Sequence, residues 1–191
     1  MISGAVRNEL IARYGEPHRR YHTMTHIEDC LAQVTASTDF SDEQRRLMEV
    51  AIWFHDAVYD ATRHDNEAES ARLAVERLRA EGANQTFIDE VSRLIMLTAG
   101  HSVEPDDAIG ARLVSIDLSI LGAEPERYDT YAAAIRHEYG HVPEPLYRAG
   151  RAAILSRFLE SEPLFADPIL ARRYETWARA NLAREITSLT A

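Results

Sequence analysis

The stretch that most constrains this chain is residues 47–60, LMEVAIWFHDAVYD. Leu47, Val50, Ala51, Ile52, Trp53, Phe54, Ala57 and Val58 leave it almost no polar face. A helix that is apolar nearly all round belongs inside a protein. Yet His55 and Asp56 fall within it. An ionised carboxylate costs several kcal/mol or more to bury without a partner. A divalent cation is one effective partner, and both residues are good metal ligands. A buried His–carboxylate pair without metal is the structural alternative. The rest of the chain must supply either the remaining ligands or a reason to do without them.

At 191 residues the chain is long enough for a core without staples, and it reads as one domain over 1–191. No apolar run approaches the roughly 18 residues of a membrane-spanning helix. The N-terminus has no basic segment followed by an apolar one, so a cytoplasmic protein is expected. Cys30 is the only cysteine, which excludes an internal disulfide and any multi-cysteine metal site. The net charge is −10 and no basic patch stands out, which argues against a nucleic-acid polymer as partner. All 21 basic residues are arginine. Schiff-base chemistry and a P-loop lysine are therefore excluded. An anionic substrate must be held by arginine, histidine, backbone N–H groups or a metal.

Helical spacing and stop signals recur along the whole chain. Ser3 and Gly15 bracket a first helix over 3–14, and a second is expected over 25–36. Ser41 with Gln44 resembles a capping box opening the central helix, which is expected to run to about Asp60. An amphipathic helix over 66–81 stops at Gly82. Thr86 with Asp89 is expected to start another, ending near Gly100. Residues 107–121 are expected to be helical, with a strand at 113–118 as the rival. Pro125 starts a helix running to Tyr139. Further helices are expected from Pro143 to about Leu159 and over 169–187. The fold class is thus all-α, a bundle of about eight or nine helices.

Histidine is most often a surface or capped residue, so position must select among the eight. His22 and His26 are four apart, and His26 borders the apolar side defined by Ile27, Leu31 and Val34. His101 follows a helix end and is either a cap or a ligand. His-Asp occurs twice. His64-Asp65 lies in a polar run, whereas only His55-Asp56 lies where a cation is needed. Asp117 is a lone acid in RLVSIDLSILG and is either a helix-end cap or a ligand. Asp60, four residues past Asp56, is expected on the same helical face, with Glu67 behind it. Arg20 and Arg136 are candidate anion contacts, or else surface ion pairs.

RYHTMTHIEDCL, AIWFHDAVYD and SIDLSILG, in that order, resemble the H…HD…D signature of the HD-domain superfamily of metal-dependent phosphohydrolases. DNEAESARLA, LIMLTAGH and YAAAIRHEYGHV extend the resemblance from about residue 20 to the end. It implies an HD-type bundle with a signature core over about 20–121 and C-terminal helices over 124–190. It implies His26, His55, Asp56 and Asp117 as ligands of one divalent ion, Mn, Co, Mg, Zn or Fe. Relatives that hydrolyse guanosine tetraphosphate read HDxxED. Here Tyr59 stands at the first acid and Asp60 matches the second. Ser115 replaces the first acid of the DxDL pattern, while Asp117 is kept.

Two histidines and two carboxylates give a mixed donor set of charge −2, suited to a borderline or hard divalent cation. The resemblance implies hydrolysis of a nucleotide or other small phosphate ester by a metal-activated water. Asp60 and Glu67 are the expected catalytic carboxylates, and Arg20, His22, His101 and Arg136 the expected substrate contacts. The rivals are an HD-type di-iron oxygenase, in which His22 and His101 would hold a second metal, and a non-catalytic sensor of metal or nucleotide. The expected partner is a small phosphorylated substrate, with no membrane. Apolar C-terminal helices leave room for a homodimer.

Overall fold

A computed structural model describes residues 2–191. Nine α-helices and no strand occur among them. In chain order these are α1 (Gly4–Tyr14), α2 (Met24–Ala36), α3 (Asp42–Phe54), α4 (Asn66–Ala80), α5 (Gln85–Leu97), α6 (Ala108–Asp117), α7 (Pro125–Glu138), α8 (Glu144–Glu160) and α9 (Pro168–Thr190). A short 3-10 segment, Leu118–Gly122, comes directly after α6. The all-α expectation is met, and the strand rival at 113–118 is overturned, because those residues continue a helix.

Two compact units make up the chain, one up to Leu113 and one from Val114 to Ala191. In the first, α4 packs on α5, and α3 packs on α2, α4 and α5. Its interior holds Leu10, Tyr14, Ile27, Val34, Met48, Ile52, Phe54, Ile88, Val91, Leu94 and Ile95. Burying each such side chain is worth about 1.5–3 kcal/mol relative to exposure. In the second unit, α9 packs on α7, on α8 and on the 3-10 segment. Its core joins Leu118, Leu121, Tyr128, Leu155, Phe165, Ala178 and Leu182. Within it Arg151 is buried and bonded to Glu185 and to the Tyr131 hydroxyl. The division falls inside α6, so Asp117 ends a helix whose first six residues belong to the first unit.

Local signals account for most boundaries. The Ser3 hydroxyl accepts from the Val6 amide at the start of α1. Ser41 and Gln44 form the full capping box of α3. Gly82 (φ 76°) takes the left-handed conformation just past α4, where glycine is unstrained. Asn84, rather than Thr86, caps α5, its side chain accepting from the Phe87 amide.

The largest departure concerns the central helix. It ends at Phe54, six residues earlier than the apolar pattern implies, and His55 is its C-cap. Residues 55–60 are a tight loop instead. Asp60 therefore does not share a helical face with Asp56. The sequence AVYD carries no glycine or proline to mark this stop, because side chains from distant segments impose it.

Two substitutions test this framework. Ser41→Ala removes the cap acceptor of the helix that delivers the site, and should lower stability by about 1 kcal/mol in urea denaturation. Glu9 on α1 is bonded to Arg77 of α4 and to Arg13, and these guanidinium groups hold its carboxyl down at about 2, from 4.5. A depressed carboxyl stabilises the fold above its unfolded value and loses that contribution as pH falls through the folded one. The stability gap between the native chain and Glu9→Gln should thus be full above about pH 4.5 and close toward pH 2.

Candidate metal centre

The last four carbonyls of a helix need partners from outside its own ladder. In α3 this need shapes the site. The Ala51 carbonyl accepts the His55 amide, the last bond of the ladder. The Ile52 carbonyl accepts from the His55 ring at Nδ1, at 2.9 Å. The Trp53 carbonyl accepts the buried Tyr14 hydroxyl at 3.0 Å, and the Phe54 carbonyl accepts the Ala57 amide at 2.9 Å.

Arg19 then fixes the loop that leaves α3. It is buried, and its guanidinium donates to the carbonyls of Asp56 (2.7 Å), Ala57 (3.1 Å) and His22 (3.2 Å) and to the Glu16 carboxylate (3.0 Å). It also lies over the rings of Tyr14 and Tyr59, 5.3 and 5.5 Å from their centroids. One side chain thus ties the segment leading into α2 to the segment leaving α3. The rest of the loop is pinned by α4. Ser70 bonds both the amide and carbonyl of Val58, and the Asn66 side chain does the same for Asp60. The His18 ring, at Nε2, donates to the Tyr59 carbonyl at 2.8 Å.

This scaffold sets the ligand atoms. His55 is almost fully buried, and a carbonyl can only accept, so the bond to Ile52 requires the proton on Nδ1. Its Nε2 points away from Ile52, at the Nε2 of His26 on α2, 3.2 Å away. The Asp56 Oδ2 lies 3.0 Å from the first Nε2 and 3.6 Å from the second. Two nitrogens each about 2.0–2.1 Å from one ion stand about 3.0–3.4 Å apart over common ligand angles. The observed separation falls in that range. The two imidazoles are buried and the Asp56 side chain is 15% exposed, so solvent reaches the carboxylate. The C-terminal end of α3 adds the negative end of its dipole beside His55. Donor types, spacing and field all fit a divalent cation.

Asp117 resolves one alternative directly. It occupies the N-cap position of the 3-10 segment, yet makes no capping hydrogen bond with its side chain. The capping explanation of this lone acid therefore fails. The second His-Asp pair behaves as the polar run implies: His64 and Asp65 are exposed, and Asp65 is paired with Arg63.

The other expected site residues fall in different places. His22 stacks on Tyr59, with centroids 4.0 Å apart, and its ring lies 6.3 Å from that of His26. It is thus beside the centre but outside the ligand cluster. His101 has φ 52°, and its amide closes α5 on the Leu97 carbonyl. Arg20 is exposed and donates to the Pro17 and Arg19 carbonyls. Glu67 is half-buried in the first turn of α4. Asp60 is exposed, and its Oδ1 accepts from both the amide and hydroxyl of Thr62, which hold its carboxyl below the usual range. Arg136 uses all three nitrogens on Glu144 and the Tyr139 and Val142 carbonyls, holding the turn between α7 and α8. That is the ion-pair alternative for this residue. Sequence reasoning missed Arg19 and Tyr21, the latter 3.0 Å from His26 Nδ1 by its hydroxyl.

Comparison with protein-family models, with curated proteins and with solved structures returns no match. The described residues form helices and no strand, and in the first unit His26, His55 and Asp56 make a largely buried His–His–carboxylate cluster consistent with an HD-type metal-binding fold. No helix among the described residues is long and apolar enough to cross a membrane.

Titration with Mn2+, Co2+ or Zn2+ by calorimetry should find one strong site per chain, removed by His55→Ala and weakened by Asp117→Asn. Binding should also raise the melting temperature, by mass action on the folded state, and a chelator should reverse the rise. Ion binding undiminished in His55→Ala would place the site elsewhere.

Proposed function

We propose that this protein is a metal-dependent phosphohydrolase acting on a nucleotide or other small phosphate ester. The observation that carries the reading is the approach of two buried imidazole Nε2 atoms to 3.2 Å of each other, with the Asp56 carboxylate 3.0 Å from one of them. The sequence resemblance at the same four positions supports hydrolysis as the use of that centre. When bound, a divalent ion supplies an acidified water and polarises a phosphoryl oxygen.

The chain's own residues have separable tasks in this reading. His26, His55, Asp56 and Asp117 hold the ion. The two carboxylates expected to be catalytic, Asp60 and Glu67, differ in their surroundings. Asp60 is exposed and engaged by Thr62, so it is a weak base and chiefly shapes the loop. Glu67 follows Asn66 and precedes Ser70 by one turn on α4, the two residues whose side chains grip the loop that carries Asp56, and it is assigned here as the proton acceptor. His22 and Arg20 lie in the 16–22 segment that Arg19 anchors, and are assigned to the phosphate.

The test is a panel of nucleotides and small phosphoesters with Mn2+, Co2+ and Mg2+. Phosphate release is expected with at least one of them. With an active substrate, Glu67→Gln should lower kcat by about 10²–10⁴-fold with metal still bound. Asp60→Asn should cost less than about tenfold. No turnover across the panel by the metal-loaded protein contradicts hydrolysis and points to the sensor. Two irons per chain, with His22 as a ligand, would select the oxygenase.

A further inference from the structure

The two ring nitrogens that face away from the centre are not bonded alike. His55 Nδ1 meets the Ile52 carbonyl, which only accepts. The proton of that ring is thereby fixed on Nδ1, and its Nε2 is directed inward as a ligand. His26 Nδ1 instead meets the Tyr21 hydroxyl at 3.0 Å. A hydroxyl both donates and accepts, and rotates between the two without moving its oxygen. The rings of Tyr21 and His26 are also packed together, with centroids 4.8 Å apart at 41°. His26 is thus aimed by a partner that tolerates either tautomer.

This difference has a chemical use. An ion held between the imidazoles requires both Nε2 atoms to be bare, so the His26 proton must then sit on Nδ1, where the Tyr21 oxygen accepts it. Without an ion, two bare Nε2 atoms at 3.2 Å oppose each other's lone pairs. A proton on His26 Nε2 relieves this by bonding His55, with His26 Nδ1 bare and accepting from Tyr21. We propose that Tyr21 is the positioning residue of the centre: its hydroxyl holds the His26 ring and reverses its hydrogen bond as His26 changes tautomer on ion capture and release. His55 keeps one tautomer throughout. This rests on the metal-binding reading of the site, but not on the reaction it performs.

The hydroxyl is one atom on a half-buried ring, so it can be removed with the ring kept. Outer partners of metal-bound histidines typically contribute about 10–100-fold to affinity. Tyr21→Phe should therefore weaken Zn2+ binding about 10–100-fold in a competition titration against a chromophoric chelator. Its chelator-treated melting temperature should stay close to that of the native chain. The direct readout is ¹⁵N chemical shifts of the histidine rings, which distinguish bare, protonated and metal-bound nitrogens. In the native protein Zn2+ should move the His26 proton from Nε2 to Nδ1, while His55 keeps its proton on Nδ1.

Native Zn2+ affinity in Tyr21→Phe, or His26 with its proton already on Nδ1 after chelation, overturns the assignment. A large fall in melting temperature of the chelated variant would make Tyr21 a structural residue, and also overturns it. If the native chain binds no divalent ion at His26 and His55, the underlying site reading fails instead, and the two failures are told apart.

Discussion

Two imidazole nitrogens face each other at 3.2 Å, with carboxylate oxygen at 3.0 and 3.6 Å from them, a donor set that could hold a divalent cation. Both rings are buried, while the Asp56 carboxylate beside them keeps some contact with solvent. The rest of the first unit is arranged to keep these atoms together. α2 carries His26, the C-terminus of α3 carries His55, and Asp56 comes at once after it. Every carbonyl in the last turn of α3 has a partner, and two of those partners, the His55 ring and Tyr14, come from outside the backbone. This satisfaction matters energetically, since a buried carbonyl left unbonded would cost about 1–3 kcal/mol.

Arg19 is the link between ligand geometry and chain topology. It gathers three carbonyls and a carboxylate from segments that are 37 and 38 residues apart in sequence at the farthest. A planar, permanently charged fork suits this task, whereas an ammonium would not span the same acceptors. Its bonds to the Asp56 and Ala57 carbonyls lie on the backbone side of the loop. The loop is thus held on its backbone side by hydrogen bonds from a charged donor, while at His26 Nδ1 a hydroxyl stands where His55 Nδ1 has a carbonyl.

Much of the fold was legible in the sequence for local reasons. Ser3, the Ser41–Gln44 box, Gly82 and Pro125 are signals whose mechanism lies within a few residues, and the helices they bound are where the pattern puts them. His55-Asp56 was legible because its neighbours are apolar, and the polar His64-Asp65 pair served as the contrast. The end of α3 was not legible. Its stop depends on Arg19 and Tyr14, which lie in other segments, so periodicity ran on to Asp60 and placed that residue on the wrong face. Arg19 itself sits in EPHRRYHTM, which reads as a broken loop, and arginine is usually a surface residue. The clue available was the helix without a stop signal, which had to be ended by something distant. Whether Asp117 caps or ligates also turns on a hydrogen bond no sequence displays.

The His26–His55 pair with the Asp56 carboxylate could hold a single cation. Crystals grown with Mn2+ or Zn2+ and measured at the metal's absorption edge test this most directly. One anomalous peak is expected about 2.0–2.2 Å from the Nε2 atoms of both histidines, with Asp56 and Asp117 oxygens completing the shell. A peak bound elsewhere, or none while the two rings remain hydrogen-bonded to each other at full metal concentration, would contradict it.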